Sequence, residues 1–171
     1  MSAISKLRSR LSVTGALAAA CLLQSVGPSS ATTTTTTFTA TITLAATCLI
    51  NSASALNFGS AGVLTANVDQ TSTIAVQCTN TTPYNIGLDA GTGTGATVAV
   101  RKLSTGGVTV NYTLYSDSGR TTVWGNTVST DTVAATGNGA SQSYTVYGRV
   151  PAQTTPAPGT YTDTVTVTVT Y

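Results

Sequence analysis

The sequence predicts an all-β domain, and three observations carry that expectation. Thr, Val, Ala, Gly and Tyr are abundant while Glu and His are absent, and β-branched and aromatic side chains favour a pleated, half-buried surface. Apolar residues recur at every second position in several short runs, the period of a strand with one face in a core. Turn residues separate those runs at the spacing of a sandwich or barrel. Low charge is shared with disordered chains, but regular alternation is not.

With 171 residues the chain has room for one domain. It opens with Lys6, Arg8 and Arg10 and no acid, runs through the apolar stretch Leu11–Val26, and reaches small residues at Ser29-Ser30-Ala31. Basic, apolar and small segments in that order predict a secretory signal peptide over 1–31, cut after Ala31. Its apolar core is too short and interrupted for a membrane span of about 20 residues. An acylated Cys21 is the alternative, disfavoured because Ala18 stands where a larger aliphatic residue is usual.

Processing changes the charge. Three of the seven cations lie in the leader, so Arg101, Lys102, Arg120 and Arg149 face five Asp, a net charge near −1. The pI of 8.5 belongs to the precursor. Four scattered cations, with only Arg101-Lys102 adjacent, make no nucleic-acid footprint. Arg101-Lys102 reads as a solvated strand edge, and Trp124 as a core residue. Export also leaves Cys48 and Cys78 as an even pair, which predicts a disulfide; two reduced, buried thiols are the alternative.

The strands follow in order. Residues 71–79 set Ile74, Val76 and Cys78 on one face, and 83–89 align Tyr84, Ile86 and Leu88. Over 97–103 the pattern is weaker, Val98, Val100 and Lys102 alternating with Ala99, Arg101 and Leu103. Residues 110–115 align Val110, Tyr112 and Leu114, and 143–150 align Tyr144, Val146 and Val150 around Gly148. The cleanest run is 161–171, with Val165, Val167, Val169 and Tyr171 against Thr164, Thr166, Thr168 and Thr170. Turn signals lie between them, among them Asn57-Phe58-Gly59, Gly106-Gly107, Asp117-Ser118-Gly119 and Pro156-Ala157-Pro158-Gly159.

A further strand precedes Cys48. In 37–46, Phe38, Ala40, Ile42, Leu44 and Ala46 share one face, and Thr37, Thr39, Thr41 and Thr43 the other. A strand with such a face invites aggregation if left in water, so it requires a sheet, either in its own domain or in another molecule. The Thr32–Thr37 run before it reads as a flexible lead-in. The last strand bears on the same choice: a final strand ending at Tyr171 leaves an edge for strand addition, or else closes a complete sandwich.

Catalytic chemistry is sparse. Without His, Glu or a free thiol, Ser–His and Cys–His nucleophile systems cannot be built. The five Asp are scattered, mostly in turn contexts where Asp bonds its own backbone. The run Gly91-Thr92-Gly93-Thr94-Gly95 lacks the Lys-Ser/Thr and the helix of a phosphate loop and reads as a flexible hairpin loop. No spacing matches a calcium loop. The sequence therefore predicts a non-enzyme with no cofactor and no metal.

The residues resemble a known family. Cys48-Leu49-Ile50, Leu56-Asn57-Phe58-Gly59, Val76-Gln77-Cys78-Thr79 and Tyr84 to Gly91 occur in order. Val110 to Tyr115, Trp124-Gly125, Tyr147 to Pro151, and Pro158 to Asp163 running into Val165–Tyr171 follow. Together they resemble the spore coat protein U-like domain of archaic chaperone–usher pilins of the Csu type. That resemblance implies an incomplete immunoglobulin-like β-sandwich completed by donor-strand complementation, with a signal peptide at 1–31, an extension carrying the donor strand at 32–46 and the pilin domain at 47–171. It implies that Phe38, Ala40, Ile42 and Leu44 are donor residues, that Val165, Val167, Val169 and Tyr171 border the acceptor groove, and that Cys48–Cys78 is the family's disulfide. The implied partners are other pilin subunits in a homo-polymer, a periplasmic chaperone gripping the Tyr171 carboxylate, and an outer-membrane usher, in a pilus serving surface attachment or biofilm formation. A spore coat-type component, or a monomeric secreted binding module whose first strand pairs within its own domain, are the alternatives.

Overall fold

The computed structural model describes residues 27–171, so most of the expected signal peptide, and Cys21 with it, lies outside the described residues. The chain divides into one unit ending at Thr41 and another spanning Ile42–Tyr171. Residues 27–41, the described part of the first, are exposed and form neither helix nor strand.

The second unit is all-β. Its strands are β1 (Cys48–Ala53), β2 (Val68–Cys78), β3 (Pro83–Leu88), β4 (Arg101–Thr105), β5 (Val108–Tyr115), β6 (Val133–Thr136), β7 (Ser141–Val150) and β8 (Val167–Thr170). They form a five-stranded sheet in the order β1-β2-β7-β5-β4 and a three-stranded sheet in the order β6-β3-β8. Every pairing is antiparallel. The architecture is an immunoglobulin-like sandwich of unequal layers.

Register follows from the alternation. On β2 and β7, Ile74 stands opposite Tyr144 and Ser72 opposite Val146, so one shared phase turns inward. Ile74, Val76 and Cys78 meet Tyr84, Ile86 and Leu88 of the opposing sheet, with Val110, Tyr112, Leu114, Trp124, Val146 and Val150 completing the buried core. A slip of one residue would turn each of these faces to water. The Trp124 indole is 1% exposed and donates its N–H to the Ile86 carbonyl at 2.8 Å, satisfying its one donor.

The expected disulfide is present. Cys48 and Cys78 are directly paired across β1 and β2, with their Cα atoms 4.1 Å apart and a sequence separation of 30.

Four local expectations change. The alternation over 97–103 does not begin a strand at 97: Thr97 and Val100 exchange backbone hydrogen bonds in a turn, and β4 starts at Arg101. Arg101 then points inward, 0% exposed, in contrast to the solvated edge its charge suggests. The Gly91–Gly95 run joins β3 of one sheet to β4 of the other, so it is a cross-sheet connection and not a hairpin loop. Gly91 has φ +77°, and a side chain there would run into the Asp163 carboxylate. Finally, only Val167–Thr170 of the 161–171 run is strand. Thr162 bridges Ser104 of β4, and Thr166 exchanges bonds with Asp89 after β3. The segment changes sheets, and the crossing interrupts the ladder.

Replacing both Cys48 and Cys78 by Ser should lower unfolding stability by about 3–4 kcal/mol, from the loop-closure entropy restored to the unfolded chain. Urea titration of the double variant beside the parent measures it.

A candidate strand-acceptor cleft

Five strands cannot be covered by three. Between the inner face of the larger sheet, the β1–β2 connection and the run-in to β8 lie two cavities of about 830 Å³ and about 390 Å³, the smaller reaching β8 at Val167. Ala55, Leu56, Phe58, Leu103 and Asp163 line both, so the two adjoin and together form a candidate cleft. Its floor is apolar: Val68 and Ile74 of β2, Val110, Tyr112 and Leu114 of β5, and Val146 and Val150 of β7. One bank is the run-in to β8, residues 155–167, and the other is the β1–β2 connection, residues 53–64.

Among the described residues, β8 pairs on one side alone, with β3, from Leu88↔Val167 to Asn85↔Thr170. Its second edge therefore presents unsatisfied backbone groups beside an apolar trough. Such an edge is a template for one more strand.

The expected acceptor residues fall as follows. Val165 and Val167 line the cleft, and Val169 packs half-buried against the core. Tyr171 lies past the end of β8 and is 59% exposed.

The bank beneath β8 is fixed by two carboxylates. Asp163 Oδ1 accepts hydrogen bonds from Thr92 N, Thr92 Oγ1 and Thr164 N, and its Oδ2 accepts one from Tyr112 Oη at 2.8 Å. Burial, reinforced by the negative Asp163 beside it, pushes the Tyr112 hydroxyl pKa well above its ordinary value. Asp89 Oδ1 accepts from Thr166 N at 2.8 Å and from Gly91 N at 3.0 Å. Burial opposes ionisation of Asp89, but the Thr166 and Gly91 N–H donors and the Arg101 charge outweigh it and hold its pKa below the usual carboxylate value.

Arg101 ties the far end of the floor together. Nε donates to the Asp89 carbonyl, Nη1 to the Val98 carbonyl, and Nη2 to the Leu88 and Trp124 carbonyls, all at 2.7–2.9 Å. No carboxylate lies within ion-pair distance of it among the described residues. Burial lowers its pKa, against the pull of Tyr112, Asp89, Asp163 and Asp131, and a guanidinium stays charged throughout. Four carbonyls share one cation. The sequence signal was available: Arg101 is in phase with Leu103 and stands across from the buried Tyr112.

Residues 37–46 form no strand, and Phe38, Ile42 and Leu44 are 92%, 82% and 81% exposed, with Ala40 also exposed. The described residues hold no cluster of His, Cys, Asp or Glu suited to a metal ion.

The comparisons with known proteins agree with an all-β, immunoglobulin-like sandwich. The Spore Coat Protein U domain matches residues 34–168. The chain is 33% identical to Protein U of Myxococcus xanthus, over 91% of this chain and 95% of that protein. It belongs to the Spore Coat Protein U domain family. In fold it resembles a chain of the CsuC–CsuE chaperone–tip adhesion subunit pre-assembly complex from archaic chaperone–usher Csu pili of Acinetobacter baumannii. That likeness has a TM-score of 0.57 and 23% identity, and covers 75% of this chain and 41% of the other. The chain thus spans less than half the length of that neighbour.

Two outcomes follow from the banks of the cleft. Arg101→Ala strips four carbonyls of their donor and should cost about 3 kcal/mol or more, read by thermal and urea unfolding. Because Asp89 has a folded pKa below 3.8, its stabilising share is complete above about pH 4 and vanishes as the pH drops through that folded value. Asp89→Asn should flatten the acid limb of the stability–pH curve below about pH 4.

Proposed function

We propose that this chain is a structural subunit of an archaic chaperone–usher pilus, exported through the periplasm and polymerised at the cell surface by donor-strand exchange. The observation that carries the reading is the pairing of a vacancy with a surplus. The domain lacks a strand beside β8, and the same chain carries an apolar strand pattern at 38–46 whose large side chains are exposed.

The match is physical. A strand from Phe38 to Ala46 spans about 26 Å at about 3.3 Å per residue, and its inward residues repeat every second position, as Val165, Val167 and Val169 do on β8. Seated in a neighbouring molecule's cleft, Phe38, Ile42 and Leu44 would each contribute about 1.5–3 kcal/mol of burial, and Ala40 suits a shallow point of the floor. Residues 32–46 are then the donor extension and 47–171 the acceptor domain, with 1–31 removed on export.

A periplasmic chaperone fills the cleft before polymerisation. The likeness to a chain from a chaperone–subunit complex supports that partnership. An outer-membrane usher exchanges chaperone for donor strand. The assembled fibre serves attachment or biofilm formation. Spore coat assembly through the same strand exchange is the second reading, favoured by the match to the Spore Coat Protein U domain.

The family and fold are those of structural subunits, and neither nucleic acid nor a cofactor has a place in the mechanism. Ile42→Asp should abolish fibre formation, scored by electron microscopy and SDS-resistant ladders, while the unfolding midpoint of the isolated subunit stays within experimental error. An unfolding free energy lowered by more than about 2 kcal/mol would mean that Ile42 belongs to its own core, which defeats the reading. Deleting 32–46 should likewise leave a folded subunit that binds chaperone and does not polymerise.

A further inference from the structure

The cleft is not empty along its whole length. After β1 ends at Ala53, the chain reaches from the edge of the larger sheet back over its inner face. Leu56 and Phe58 are the two half-buried side chains of residues 53–63; their neighbours in that stretch are exposed. They sit over the middle of the sheet. Phe58 meets Tyr112 of β5 edge to face at 6.0 Å, and both side chains close over Gly148 of β7. A Cβ at Gly148 would run into Leu56 Cδ2 and stand 3.0 Å from Phe58 Cζ. Two central strands are thereby roofed by a loop where a sandwich of equal layers would place a strand.

The backbone of that loop is held weakly. Among the described residues, the hydrogen bonds that residues 55–63 make through their backbone are Gly59 N to Asn57 Oδ1 and Thr65 N to the Val63 carbonyl, both local. Anchoring to the rest of the domain begins on either side, at Ser54 N to the Thr73 carbonyl and at Leu64 N to Thr155 Oγ1. A segment attached by two side chains and no ladder is of the kind that opens locally at low free-energy cost. A donor strand, by contrast, brings both side chains and a ladder to β8.

We propose that residues 55–63 are a displaceable plug: Leu56 and Phe58 occupy the acceptor cleft of the unassembled subunit and are ejected by the incoming strand. This rests on the reading of the cleft as a strand acceptor and adds its regulation. The plug covers core that would otherwise face water, and its removal is a step of the exchange. Gly148 is the residue that makes room for it.

The test uses the full subunit and a fluorescein-labelled synthetic peptide of residues 37–46, with uptake followed by anisotropy. Phe58→Ala and Gly148→Ala should take up peptide about tenfold faster than the parent. Equal or slower uptake would show that Phe58 is permanent core and overturn the plug. A second measurement avoids the folding of variants. The chain has two Phe, so uniform 4-fluorophenylalanine labelling gives two ¹⁹F resonances, assigned with Phe38→Leu. On saturation with peptide the Phe58 signal should move to the position of a solvent-exposed ring; a signal that stays put while peptide binds overturns the plug and leaves the cleft reading intact. Absence of peptide uptake by parent and variants alike would instead overturn the cleft reading on which the plug rests.

Discussion

Everything in this molecule turns on an imbalance of layers. A sheet of five strands faces a sheet of three, the connections 53–64 and 155–166 cover part of the remaining inner face, and among the described residues β8 pairs on one side alone. Hydrophobic surface and unmade hydrogen bonds thus coincide along one line, and each makes the other harder to tolerate. Neither a loop nor a detergent-like side chain satisfies both. On the reading proposed above, another strand would.

The remaining polar chemistry serves to hold that line straight. Asp163 and Asp89 pin the segment that leaves β4 and arrives at β3, and their acceptors are filled by backbone N–H groups and the Tyr112 hydroxyl. Arg101 gathers the carbonyls at the ends of β3 and the Trp124 segment. A cation buried among carbonyls is costly unless several bonds repay its dehydration, and here four do. The bank of the cleft is in this sense prepared before any strand arrives.

Much of this was legible in the alternation of residues. β2, β3, β5 and β7 were readable because one face is buried and one wet, which is the condition under which period two appears. The short β6 was not read, since four residues carry too little pattern, and β1 was not read as a strand because Leu49 and Ile50 remain exposed on it. Arg101 misled because charge is ordinarily a sign of solvent, and its burial depends on carbonyls brought together from β3 and the Trp124 segment. The break in 161–171 was hidden for a related reason: the Thr–Val alternation persists through a change of sheet, which only the crossing bonds to Ser104 and Asp89 reveal. For the segment 37–46, pattern gave the face but not the partner. The structure adds that its large apolar side chains stand in solvent.

The position of the disulfide has a mechanical meaning. One residue, Thr47, separates the apolar segment from Cys48, and Cys48 is bonded to the end of β2, the longest strand of the larger sheet. Tension applied upstream of Thr47 therefore enters the domain through a covalent clip, bypassing the β1–β2 ladder that would otherwise peel open one bond at a time. The load spreads at once onto β2 and its ten-residue register with β7, where bonds lie side by side and share it. A chain of such subunits would yield first between molecules, and not within them.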